Sequence, residues 1–267
     1  MKIILSPARK MKTDPDTLEP VSLPQFLDQA SAILSWLRDR TRQELQTLWK
    51  CNDNLARENY DRIAHMDLRR SLTPAVLAYE GIAYQYMAPA VFEKAQYEYV
   101  QEHLRILSAF YGVLRPMDGV VPYRLEMQAK ASIADHKDLY GLWGSRLYEA
   151  VRDESGLIVN LASREYSKCI EKYLTKGDRF LTITFCEKAG DKLVTKGTYA
   201  KMARGDMVRL LAEENIEEPA DIQKYHRLGY IFRSDLSTET EYVFERQQNQ
   251  GSCTGGKGRY PASIPER

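Results

Sequence analysis

Residues 104–127 read LRILSAFYGVLRPMDGVVPYRLEM and gather the chemistry that stands out first in this chain. Ser108, Ala109, Phe110, Tyr111 and Gly112 are expected to break a helix with a small, aromatic, glycine-containing turn. Arg115-Pro116, Asp118-Gly119 and Pro122-Tyr123-Arg124 follow as rigid turns carrying charge. A helix, a tight hairpin and a second short helix can offer a phosphate unpaired backbone N–H groups, which carry partial positive charge. Arg115 and Arg124 would add bidentate phosphate contacts. The same residues equally fit a structural network in which Arg124 pairs with Glu126 or Asp118.

Two further groups bear on the same chemistry. Over Tyr199–Leu211, about 100° per residue places Met202, Ala203, Met207, Leu210 and Leu211 on one side. Lys201, Arg204 and Arg209 fall on the other, with Gly205 among them. A mid-helix glycine costs about 1 kcal/mol relative to alanine. It calls either for a phosphate or strand approaching the backbone, or for close packing against another helix. Asn160, Ser163, Glu165 and Tyr166 directly follow an apolar run and form a polar cluster at a strand end. Ser6, with Arg9 and Lys10, follows the opening run Lys2–Leu5, where an open α/β sheet tends to bind ligands. Ser6-Pro7 equally serves simply to end that strand.

The elements that must position these residues are interleaved. Strands are expected at Lys2–Leu5, Leu157–Leu161, Arg179–Phe185 and Lys192–Thr195, with Gly190-Asp191 turning between the last two. Helical spacing begins after Ser22 and Pro24 and continues through Leu45, Leu48 and Trp49. It returns from Pro89 and is expected to run through His103 into residues 104–127. The fold class is therefore α/β (mixed α+β): one domain over residues 1–246, with a mixed sheet, surrounding helices and a helix-hairpin-helix-like element. Residues 247–267, rich in Gln, Gly, Ser and Pro, read as a disordered tail.

Composition excludes several classes. The 43% hydrophobic and 28% charged residues are those of a globular protein. No apolar run approaches the roughly 18 residues of a membrane span, which points to the cytoplasm. Cys51, Cys169, Cys186 and Cys253 form no Cys-x-x-Cys pair, and the four histidines are scattered, so neither a disulfide framework nor a metal site is expected. Neither a Gly-x-Ser-x-Gly elbow nor a Cys/His pairing offers a catalytic set, and no cofactor is expected. The net charge is +1, yet residues 164–209 hold eleven Lys/Arg against six Asp/Glu, a local balance of +5.

Several motifs in order resemble the peroxide stress protein YaaA family. They are Leu5-Ser6-Pro7-Ala8, residues 104–127, Lys137-Asp138-Leu139-Tyr140 with Trp143, Val159-Asn160-Leu161-Ala162-Ser163 with Glu165-Tyr166, and residues 199–205. Departures from the family pattern are Arg9, Ala109 and Gln128. The resemblance implies a helix-hairpin-helix element, a positively charged cleft, DNA binding and a role in limiting iron-driven damage under peroxide stress. On that reading a monomer contacts DNA phosphates, without sequence preference, through Lys10, Arg115, Arg124, Lys201, Arg204 and Arg209, with Ser108, Tyr111 and Gly112 as the gripping hairpin. Ser6, Asn160, Ser163, Glu165 and Tyr166 are more than backbone phosphate contact requires. They support the alternative of an enzyme acting on a nucleotide-like small molecule in the same cleft.

Overall fold

The opening run Lys2–Leu5 (β1) forms the middle of the sheet, and its burial explains its composition. Ile3, Ile4 and Leu5 are 0%, 0% and 1% exposed, as expected of a strand covered on both faces. In the computed structural model, which describes residues 1–247, β1 pairs in parallel with Leu104–Ser108 (β2) on one side and Leu157–Asn160 (β4) on the other. The sheet continues through Gly112–Leu114 (β3) beyond β2. Beyond β4 come Arg179–Ala189 (β5), with Lys192–Val194 (β6) folded back on it, and Glu241–Arg246 (β8), which pairs with Tyr230–Phe232 (β7). The result is a mixed eight-stranded sheet in the order β7-β8-β5-β4-β1-β2-β3, accompanied by eleven α-helices among the described residues. This is a single α/β domain.

The five strands β2, β1, β4, β5 and β8 run in parallel, so their carboxyl ends open on one edge. The chain leaves β1 for β2 on one side and later returns to β4 on the other, which makes the ends of β1 and β4 a topological switch point.

The expected strands at Lys2–Leu5, 157–161, 179–185 and 192–195 are present, the third running on to Ala189. Gly190 turns between β5 and β6 with φ +62°. The helix expected to run into residues 104–127 stops at His103, and Leu104–Ser108 is a strand. A buried parallel strand carries apolar residues on both faces, and Leu104, Ile106 and Leu107 satisfy helical and extended spacing alike.

The helix-hairpin-helix expectation is likewise corrected: β2 and β3 form an antiparallel β-hairpin, with Ser108 opposite Gly112. Its tip is inside the protein. Ser108 and Tyr111 are fully buried, and the Ser108 Oγ accepts the N–H groups of Phe110 and Tyr111 at 3.2 and 2.9 Å. Gly112 has φ +78°, and a methyl there would meet the Trp143 ring at 2.7 Å. Ser108, Tyr111 and Gly112 therefore close the core and present no surface that could grip a nucleic acid backbone. The tail expectation lies outside the described residues from 248 onward.

Helix Gly197–Glu213 (α5) crosses helix Ile82–Met87 (α2) at close range. A methyl on Gly205 would stand 1.8 Å from the Ala83 carbonyl oxygen, so the glycine serves helix packing and not phosphate approach. Gly205→Ala should lower unfolding stability by about 3 kcal/mol or more, since overpacking outweighs the helix propensity that alanine gains. Urea denaturation checks this. An unchanged or raised midpoint would show that the two helices separate without cost.

Candidate functional site

A cavity of about 590 Å³ opens at the carboxyl ends of β1 and β4. Its floor is the loop Ser6–Lys10 after β1 together with Leu161 and Ser163 after β4. Helix Arg164–Glu171 (α4) starts there, with Ser163 at its cap position. The two strand exits are tied together: the Ser163 N–H donates to Ser6 Oγ at 2.8 Å, and the Ser6 hydroxyl donates to Ser163 Oγ at 3.1 Å. Asn160 lies below the floor. It is 4% exposed and its Oδ1 accepts the Ala162 N–H at 2.9 Å, so it shapes the loop that carries Ser163 without lining the cavity.

The walls come from three segments distant in sequence. Helix α5 contributes Lys201 and Arg204, the start of α2 contributes Gly81–Tyr84, and the chain after the hairpin contributes Tyr123–Glu126. Tyr84 is fixed by its hydroxyl, which donates to the Ser6 carbonyl at 3.1 Å. Tyr123 stacks on Phe110 at 4.9 Å and shares hydrogen bonds with Ser108 and Tyr79. Thus the buried Ser108 hydroxyl acts on the cavity only through Tyr123.

The charges around this cavity divide into paired and unpaired. Lys10 meets Glu80 at 3.0 Å, and Arg9 clamps Glu126, with an Nη2–Oε2 distance of 2.9 Å. The Nε atoms of Arg124 and Arg204 are buried with no hydrogen-bond partner. Arg124 does not pair with Glu126 or Asp118; its Nη2 donates to the Trp49 carbonyl at 3.4 Å. Burial alone pushes the Arg204 guanidinium below its ordinary pKa, with no counter-charge opposing it. Lys201 is exposed at the same wall and has no carboxylate partner among the described residues.

Glu165, in the first turn of α4, also faces the cavity. It accepts the Gln128 N–H at 3.2 Å and no cation pairs with it among the described residues. Burial raises its pKa, and the Glu126 carboxylate adds to that. The Tyr166 hydroxyl beside it is buried and its pKa is pushed well up for the same reason. Burial likewise pushes the nearby Cys169 thiol up to about 12, so that group stays protonated and unreactive.

Of the expected site residues, the cavity thus brings together Ser6, Lys10, Arg124, Ser163, Glu165, Tyr166, Lys201 and Arg204. Two expected cations lie elsewhere. Arg115 follows β3 as it runs away from this edge. Arg209 sits about 12 Å along the helix axis from Lys201, where its Nε donates to Glu213 at 2.7 Å. Glu80, Glu126 and the stretch Gly81–Tyr84 had not been singled out as site residues. Glu126 lies within the RLEM motif, whereas nothing local in Gly81–Tyr84 reveals contact with α5. Among the described residues no three His, Cys, Asp or Glu side chains are grouped to hold a metal ion, and no helix is long and apolar enough to cross a membrane.

Fold and cavity define an open α/β protein with a cationic cleft at the topological switch point. Within that class, residues 1–236 match the family described as Peroxide stress protein YaaA, and the chain belongs to it. A UPF0246 protein of Agathobacter rectalis is 65% identical over 247 residues, covering 92% of this chain and 99% of its own length. One from Lachnoclostridium phytofermentans is 52% identical over 91% of this chain and 96% of its own, and one from Ligilactobacillus salivarius is 48% identical over 91% and 99%.

The raised Glu165 pKa fixes the sign of a pH effect. Above that pKa the folded protein carries a desolvated carboxylate that the unfolded chain would hydrate, so ionisation costs stability. Glu165→Gln should therefore melt higher than the parent near pH 8. The gap should close as pH falls through the carboxylate range. Thermal melts across pH 4–8 test this, and a variant less stable at pH 8 would contradict it.

Proposed function

We propose that the cleft binds a phosphorylated ligand of nucleotide size. The observation that carries this reading is the pair of buried guanidinium Nε atoms, on Arg124 and Arg204, that face one cavity without a partner. A protein that merely needed solubility would place such charges in water, and one that needed rigidity would pair them. Guanidinium groups suit phosphate because their planar N–H fork matches two of its oxygens. The volume of about 590 Å³ falls in the range of small-molecule sites. The Ser163 hydroxyl and the start of α4 add neutral donors at the floor.

A second reading gives the cleft DNA, as the action of a peroxide-stress protein limiting iron-driven damage. The exposed Lys201, with Arg9 and Lys10 at the mouth, favours it. Against it, Arg9 and Lys10 are already ion-paired, and Arg115 and Arg209 do not extend the cationic surface. Duplex binding by spread charge gives a log affinity falling linearly with log salt, by about 0.9 per phosphate neutralised. A steep slope in anisotropy titrations, shared by duplexes of different sequence, would favour DNA over the small ligand.

Arg204→Met separates stability from binding. Removing a desolvated, unpaired cation should raise the melting temperature of the ligand-free protein. The same change should abolish the further rise that nucleoside monophosphates or pyrophosphate produce in the parent by mass action. If the variant gains the same ligand-induced shift as the parent, the cleft is not a phosphate site.

A further inference from the structure

We propose that the ligand of this cleft is bipolar, a phosphomonoester whose other end presents paired N–H donors, and that a guanine nucleotide matches it best. This rests on the phosphate reading above and extends it to the carboxylate that lines the same cavity.

The argument comes from which charges are left over. Glu80 is taken by Lys10 and Glu126 by Arg9, so both mouth carboxylates are neutralised. Glu165 is the lining carboxylate with no ion-pair partner among the described residues, the nearby Arg9 charge offsetting only part of what burial raises, and Arg124, Lys201 and Arg204 are the lining cations with none. Groups of opposite charge thus line one cavity without pairing with each other. A purely anionic ligand would satisfy the arginines while worsening the field at Glu165, and a cationic one would do the reverse. A ligand with phosphate at one end and donors at the other relieves both.

Glu165 is also built to be read. Its carboxylate is oriented by the Gln128 N–H at 3.2 Å and by its place in the first turn of α4. An ionised carboxylate only accepts hydrogen bonds, through two adjacent oxygens. Guanine offers a ring N–H and an exocyclic amino group side by side, which fit those two oxygens. Adenine sets a ring acceptor beside its amino group, and uracil flanks its one N–H with two carbonyls. Both therefore turn lone pairs toward the carboxylate, an element of rejection as well as lost attraction. Tyr84, Tyr123 and Tyr166 line the same cavity and supply aromatic wall to it.

The test is isothermal titration of the full chain with GMP, IMP, AMP and pyrophosphate, repeated on Glu165→Gln and Arg204→Met. GMP should bind the parent at least 10-fold more tightly than AMP, with IMP, which lacks the exocyclic amino group, between them. Glu165→Gln should erase the GMP preference while leaving pyrophosphate affinity equal or higher, a pattern that a merely misfolded variant cannot give. If GMP and AMP bind equally, and Arg204→Met weakens both, the bipolar assignment fails while the phosphate reading stands. If neither nucleotides nor pyrophosphate bind the parent, both fail. If Glu165→Gln keeps the full GMP preference, the donor edge is read elsewhere and the assignment to Glu165 is overturned.

Discussion

The approach of α5 to α2 at Gly205 fixes where the cations of the cleft stand. With no side chain between the helix backbone and the Ala83 carbonyl, α5 lies closer to α2 than any other residue at 205 would allow. Arg204 is the adjacent residue and Lys201 lies one turn earlier, so both are set against the same wall that Gly81–Tyr84 complete. The remaining parts of the site hang on a second tie, the hydrogen bonds between Ser6 and Ser163 that lock the exits of β1 and β4 together. One contact sets the wall and the other sets the floor. Neither tie uses the guanidinium groups of Arg124 or Arg204.

Leaving those groups unpaired has a physical cost that the rest of the fold must offset. A desolvated cation without a partner destabilises the folded chain. The sheet beneath is buried deeply enough to carry it: β1, β2 and β4 are almost entirely enclosed, and the aromatic cluster of Phe110, Tyr111 and Tyr123 packs behind the cleft with ring centroids 4.8 to 5.5 Å apart. The aromatic turn at residues 108–112, read in sequence as a hairpin for gripping phosphate, turns out to be the support on which Tyr123 rests. Its glycine is required because the Trp143 ring leaves no room for a side chain.

How far the site could be read in the sequence follows from the range of the interactions concerned. Ser6, Ser163, Glu165 and Tyr166 were legible because polar residues immediately after a buried strand have one plausible place to go, the carboxyl edge of a sheet. Lys201 and Arg204 were legible because helical periodicity is local. Gly205 drew attention for its helix cost, but its reason is a contact with Ala83, more than a hundred residues away, that no local pattern contains. The same holds for β2, whose neighbours are β1 and β3. As a short apolar run after a helix it carries no mark of a strand until Ile3 and Leu114 are placed beside it.

Charge counting along the chain pointed to a stretch that supplies part of the cavity lining, for a reason that proves incomplete. The surplus of +5 over residues 164–209 suggests a broad cationic surface. Three-dimensional pairing occupies several of the cations: Arg209 meets Glu213 and Lys196 meets Glu187, and outside that stretch, at the mouth, Lys10 and Arg9 meet Glu80 and Glu126. What remains among the described residues is a small set of lining groups without an ion-pair partner, Arg124, Lys201, Arg204 and, with opposite sign, Glu165. Exposed paired charges contribute little to either stability or binding because water already screens them. Half-buried unpaired ones, here Arg124, Arg204 and Glu165, are less screened and interact more strongly with a ligand. The unpaired charge lining this cleft therefore sits on four side chains from three separate segments, and the net charge of +1 conceals it.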